Sequence, residues 1–231
     1  MRKDLKKSLE ELKTDYIDIY MLHRDDPDTE VAVAVETFNA MHEEGNIGAF
    51  GASNWTHTRI EEANEYAYKH NLIPFSVSSP NFCLARQVED PWGGGCVNIS
   101  GPENQEARAW YEKNQMPVIA YASLGRGFFS GRMKSEYADH AGDYLDSFAM
   151  TGYACSDNFE RLRRCEIIAE KHGVTVAQIA MNWVFSHPLN IFAIASMSKA
   201  DRMKANREAL LLQLSDEEIA YLDLETPEFC G

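Results

Sequence analysis

Several absences narrow this sequence before any motif does. Basic residues are scarce: 22 Lys and Arg stand against 36 Asp and Glu, a formal charge of -14 that excludes a surface built to neutralise nucleic-acid phosphates or anionic lipid heads. Long apolar runs are missing too. No stretch approaches the roughly 20 apolar residues that span a bilayer, and the opening Met-Arg-Lys-Asp-Leu-Lys-Lys has no apolar leader core. A cytoplasmic chain that meets neither nucleic acid nor membrane is the expectation. The five cysteines (Cys83, Cys96, Cys155, Cys165, Cys230) include no Cys-x-x-Cys pair, and an odd, scattered set suits reduced thiols better than a disulfide framework. The seven histidines lack the paired spacing of a zinc site, so no metal is expected.

What is present is enough apolar material, 45% of 231 residues, for one sizeable core, and residues 1–231 show no internal linker. Short runs rich in Ile, Val and Tyr at 16–22, 47–51, 75–79, 118–122 and 191–195 predict five strands. Between and after them lie helical patterns at 30–44, 56–70, 103–114, 159–172, 176–186, 200–211 and 216–222, several entered through Thr, Asp or Ser. Thr29 is the expected cap of the helix at 30–44. Strands that alternate with helices and are too apolar to face water imply a parallel sheet covered by helices. Pattern alone leaves an open doubly wound sheet or a barrel, and five units lean toward the open sheet. A dinucleotide fingerprint of the Gly-x-Gly-x-x-Gly kind is absent, because Gly93-Gly94-Gly95 follows no strand and reads as a flexible loop.

In either architecture the C-terminal ends of the strands carry the function. The five ends read Leu22-His23-Arg24-Asp25, Gly51-Ala52-Ser53-Asn54-Trp55, Ser78-Ser79-Pro80-Asn81, Tyr121-Ala122-Ser123-Leu124-Gly125-Arg126-Gly127, and Ser196-Met197-Ser198-Lys199 before a helix bearing Arg202 and Asn206. Taken singly each has a structural explanation: His23 bonded to backbone, Ser53 and Asn54 capping a helix, Lys199 and Arg202 on a solvated face. Together, Ser, Asn and Tyr can bond a carboxamide and cover an aromatic ring, while a glycine-bearing turn and a basic helix start offer donors to phosphate. The set points to a dinucleotide. The loops 83–102 and 128–157 are long enough to cover such a site, with Trp92, Trp110, Phe148 and Tyr153 as candidate wall residues.

These motifs resemble the aldo-keto reductase superfamily. Ser8-Leu9 through Leu12 and then Asp15-Tyr16-Ile17-Asp18-Ile19-Tyr20-Met21-Leu22-His23 resemble that family's third helix and fourth barrel strand. Gly48 to Trp55 resembles its fifth strand, Tyr121 to Gly131 its seventh, and Ser198 to Asn206 its eighth strand and following helix. The resemblance implies a (β/α)8 barrel of the TIM type, N-terminally truncated, with about five of eight units present. It displaces the open-sheet reading. It also implies a reductase that passes hydride from NADP(H), preferred over NAD(H) mainly for Arg202 with Ser198 and Lys199, to a small-molecule aldehyde or ketone.

By that resemblance His23 orients the substrate carbonyl. Ser53, Asn54, Ser78 and Tyr121 hold the nicotinamide, and Ser123, Leu124, Gly125, Gly127, Ser196, Ser198, Lys199, Arg202 and Asn206 hold the remainder of the cofactor. The family's catalytic tyrosine, aspartate and lysine have no counterpart in these residues, and Ser78 and Asn81 stand where the family often has glutamine and tyrosine. A second reading therefore stays open: a catalytically silent relative that binds nucleotide or a partner. Self-association through exposed strand edges is a further expectation.

Overall fold

The computed structural model describes residues 1–196 and 200–227. Five strands, β1 (Ile17–Leu22), β2 (Ile47–Ser53), β3 (Val77–Ser79), β4 (Val118–Ala120) and β5 (Ile191–Ala193), form one sheet in chain order. Every pairing is parallel. Helices α1 (Arg2–Leu12), α2 (Val31–Glu43), α3 (His57–Lys69), α4 (Gln105–Asn114), α5 (Ser147–Tyr153), α6 (Ser156–His172), α7 (Val176–Phe185), α8 (Ala200–Ala209) and α9 (Asp216–Leu222) occupy the connections and the ends of the described chain. Consecutive parallel pairing with helical crossovers is the architecture of a barrel wall, with five of the eight units a complete barrel contains.

Helix starts follow the expected chemistry. Thr56 accepts from the Arg59 N–H, and Thr175 and Ser215 each close a reciprocal box with Gln178 and Glu218. Thr29 does not cap α2. Its hydroxyl donates to Asp26, and Glu30 stands at the cap position without a side-chain bond. The loop 128–157 holds more structure than its sequence pattern predicts, namely α5 and an irregular 3-10 segment at Ser135–Asp143.

The sheet has two unlike faces. On the convex face Phe50 stacks on Phe38 of α2 at 5.1 Å, and Phe75 meets Phe38, Phe50 and Trp55 at 5.7, 6.0 and 5.4 Å, so that aromatic rings weld α2 and α3 to β2 and β3. Asn39 and Asn64, in α2 and α3, each exchange two bonds with the backbone of Ile73 and Phe75 and aim the chain into β3. The concave face is small or bare. Gly51 belongs to it, and a Cβ there would fall 1.8 Å from the Val77 carbonyl oxygen. The large side chains of this face lie at the edges: Ile19 on β1, Phe192 on β5 and Ile194 just beyond β5 are 47%, 57% and 51% exposed.

Two outcomes follow. Gly51→Ala forces β2 away from β3 and lowers the unfolding free energy by about 3 kcal/mol in a urea titration. The open edges of β1 and β5 predict elution ahead of the monomer position in size-exclusion chromatography, and paired Ile19→Lys and Phe192→Lys substitutions shift the chain toward monomer.

Candidate active site at the strand ends

The C-terminal ends of β1 to β4 and the segment just beyond β5 converge on a cleft of about 590 Å³. Its lining runs through Met21 and Leu22 at the end of β1 with His23 and Arg24 after it, Ser53 at the end of β2 with Asn54 after it, Ser79 on β3, Tyr121 after β4 and Ile194 after β5, with Trp92 and Cys96 from the loop after β3. A larger hollow of about 760 Å³ lies at the opposite end, between α1 and the end of α2. It lies at the N-terminal ends of the strands, away from the face where barrel folds place their chemistry, and its lining mixes charges of both signs with Leu5, Leu9 and Met41.

Side-chain bonds stitch the strand ends together. The Asn54 amide donates to the His23 carbonyl (3.0 Å) across β2 and β1, and the Ser53 hydroxyl donates to the Ser79 carbonyl (2.8 Å) across β2 and β3. The Ser79 hydroxyl reaches the Ile119 carbonyl (2.7 Å), and the Ser123 hydroxyl reaches those of Ala120 (3.2 Å) and Ile194 (3.3 Å). Each seam of the sheet thus carries one polar side chain at its C-terminal end. Asn54 sits at φ 59°, a left-handed conformation that asparagine tolerates better than most residues, and its side-chain oxygen accepts from the Tyr121 hydroxyl (2.7 Å) and the Val97 N–H (3.1 Å).

The loop after β3 is strapped over the mouth. Asn158 brackets its start by bonding both the N–H and the carbonyl of Arg86, and Asp90 receives the N–H groups of Trp92 and Cys96 at 2.8 Å each. Burial works against the Asp90 charge, but those two N–H donors outweigh it and hold its pKa below the ordinary value. Arg24 donates to the Gly94 carbonyl (2.8 Å), and Arg126, ion-paired to Asp146 (3.1 Å), lies over the rings of Trp92 and Phe148. Gly93, Gly94 and Gly95 all take positive φ, within the loop expected there. Burial, then the neighbouring Cys96, pushes the Tyr121 phenol far above its ordinary pKa. It keeps its proton and spends it on Asn54.

The predicted site residues divide accordingly. His23, Ser53, Asn54 and Tyr121 meet in the cleft; the His23 ring is exposed at its mouth and bonds no described residue. Ser78 does not join them. Strand alternation points it outward, where it bonds the buried Tyr111 hydroxyl of α4 (2.7 Å), and its neighbour Ser79 takes the inward place. Asn81 is equally buried, bonded to the Tyr153 hydroxyl (2.6 Å), so Tyr153 is core rather than cleft. Trp110 leans away and donates to Glu61.

Ser123 is committed to the β4–β5 seam and Leu124 packs on the core. The N–H groups of Gly125 and Gly127 bond the Ala122 and Leu124 carbonyls, so this turn offers phosphate no free amide at those two positions. Ser196 is exposed beyond β5, and Arg202, exposed, and Asn206, half-buried, lie on α8 outside the cleft. Ser198 and Lys199 lie outside the described residues. Arg24, Ser79 and Cys96 are cleft residues that the strand-end motifs did not single out. For Ser79 the signal was available, since Ser53 and Ser79 are register partners and share a face.

The Aldo/keto reductase family model matches residues 1–224. This chain belongs to that family. It is 25% identical over 217 residues to an aldo-keto reductase, str7, of Strobilurus tenacellus, covering 92% of this chain and 59% of the relative. It is 25% identical over 222 residues to a probable aryl-alcohol dehydrogenase, AAD4, of Saccharomyces cerevisiae (95% and 63%). A putative voltage-gated potassium channel subunit beta of Schizosaccharomyces pombe matches at 24% over 242 residues (97% and 60%). The crystal structure of the thermostable aldo-keto reductase Tm1743 superposes with a TM-score of 0.68 at 24% identity, over 96% of this chain and 64% of that one. The chain therefore spans about three-fifths of the length of these relatives. No described helix is long and apolar enough to cross a membrane, and no described group of His, Cys, Asp and Glu is placed to hold a metal ion.

The Asn54 geometry makes its own prediction. Asn54→Ala removes the amide and forces a β-carbon residue into left-handed backbone, whereas Asn54→Gly removes only the amide. In urea titrations the alanine variant should be the less stable by roughly 1 kcal/mol.

Proposed function

We propose that this chain supplies the nicotinamide-binding end of an NADPH-dependent reductase of aldehydes and ketones. The observation that carries the reading is the meeting of His23, Ser53, Asn54 and Tyr121 in one cleft at the strand ends. The cleft fits a flat heteroaromatic ring in size and in its apolar walls of Met21, Leu22, Trp92 and Ile194. Ser53 keeps an acceptor lone pair, and Asn54 can receive a carboxamide by exchanging the Val97 N–H for it.

The nicotinamide, when bound, supplies the hydride. His23 presents an imidazole at the cleft mouth, where it can hydrogen-bond and orient the substrate carbonyl oxygen. Tyr121 fixes Asn54 and, with Trp92, keeps water from the ring face. Arg202 favours a phosphate-bearing adenosine, which supports NADPH over NADH. Free described cysteines suit a reducing, cytoplasmic setting.

A second reading, nucleotide binding without turnover, is favoured by one observation. The Tyr121 phenol, raised in pKa and bonded to Asn54, is not poised to donate a proton to substrate. NADPH fluorescence titration together with NADPH oxidation by a reactive aromatic aldehyde separates the two. Binding with turnover that falls by about 100-fold or more in His23→Ala, affinity unchanged, supports the reductase. Binding without turnover supports the second reading, and no binding overturns both.

A further inference from the structure

Behind the helical layer, away from the cleft, a pocket of about 120 Å³ opens between the start of α4, the middle of α6, the end of α7 and the turn after α9. Four charged side chains line it: Arg108, Arg161, Asp223 and Glu225. Arg161 is only 5% exposed, and among the described residues its hydrogen bonding is limited to one 3.3 Å contact with the Asn158 side-chain oxygen. Arg108 spends Nη1 on the Ile99 and Gly101 carbonyls and leaves Nη2 and Nε unbonded. Asp223 accepts from the Trp183 indole (3.0 Å) and, like Glu225, meets no cation at ion-pair distance among the described residues.

A buried guanidinium without a carboxylate is costly, and so is a buried carboxylate without a cation. Here Arg161 is buried, Arg108 and Asp223 are half-buried and Glu225 is exposed at the pocket's rim; Asp223 feels both guanidiniums through their field but touches neither. His187 adds no charge to the wall, because burial and then Arg108 lower its pKa to about 4. Leu84, Pro102 and Trp183 complete an apolar lining.

We propose that this pocket binds a small zwitterionic α-amino acid, its carboxylate between Arg108 and Arg161 and its ammonium toward Asp223 and Glu225. The balance of two cations and two anions matches a molecule carrying one charge of each sign at either end of a single carbon. An oxyanion alone would leave the half-buried Asp223 without a direct partner, and an amine alone would leave the two guanidiniums so. The volume admits a molecule the size of glycine or alanine, in place of about four waters at ~30 Å³ each. The site is independent of the nicotinamide reading.

Isothermal titration of the full chain at neutral pH with glycine, acetate, methylammonium and inorganic phosphate, each alone, is the test. Glycine is expected to bind at least tenfold more tightly than the other three, and Arg161→Met and Asp223→Asn each to weaken it at least tenfold. Asparagine at 223 keeps an acceptor for the Trp183 indole, so that variant serves even where Arg161→Met does not fold. Acetate or phosphate binding as well as glycine overturns the proposal in favour of an oxyanion site. No binding, or binding untouched by Asp223→Asn, overturns it as well.

Discussion

The structure depends on a set of short polar side chains that cross the seams of a parallel sheet at its C-terminal end. Parallel strands leave carbonyls at that end with no further ladder to enter, and those carbonyls must find donors. Asn54, Ser53, Ser79 and Ser123 supply them, one per seam. Every loop that shapes the cleft leaves the sheet just beyond one of these bonds. The residues that look like ligand contacts are thus also the fasteners of the rim: the serines keep a lone pair each, and Asn54 must exchange one of its four bonds to meet a ligand.

That double duty explains why the site was legible in part. The strand ends announce themselves as polar residues after apolar runs, so His23, Ser53, Asn54 and Tyr121 are readable from the sequence and do meet. Ser78 and Ser79 are adjacent serines, and only the pairing register tells which one faces inward. Arg24 and Cys96 enter the cleft through contacts 70 residues distant in sequence and through the turn around Asp90, and local pattern carries neither. Gly125 and Gly127 resemble a phosphate cradle as letters, yet their N–H groups are consumed by the turn they make possible.

The fold was more legible than the site, because periodicity and capping are local. The five strands and their order of alternation with helices follow from short β-branched runs, and the caps at Thr56, Thr175 and Ser215 from hydroxyls ahead of apolar stripes. The Thr29 expectation failed because its hydroxyl had a nearer partner in Asp26. The structure inside 128–157 escaped because its helical pieces are one or two turns long and lean on Phe148 and Arg126 rather than on a stripe of their own.

The unequal faces of the sheet carry one more consequence. Aromatic packing is concentrated on the convex side, where Phe38, Phe50, Phe75 and Trp55 interlock, while the concave side holds glycine, serine and exposed Ile19 and Phe192. Cohesion and ligand contact are thus assigned to opposite surfaces of the same strands, alternating residue by residue. Sequence drift at inner-surface positions clear of Gly51 and of the rim fasteners can retune what the cleft accepts at little expense in folding, whereas the outer surface is bound to its aromatic lock. A two-residue period is what lets those positions vary apart from the core.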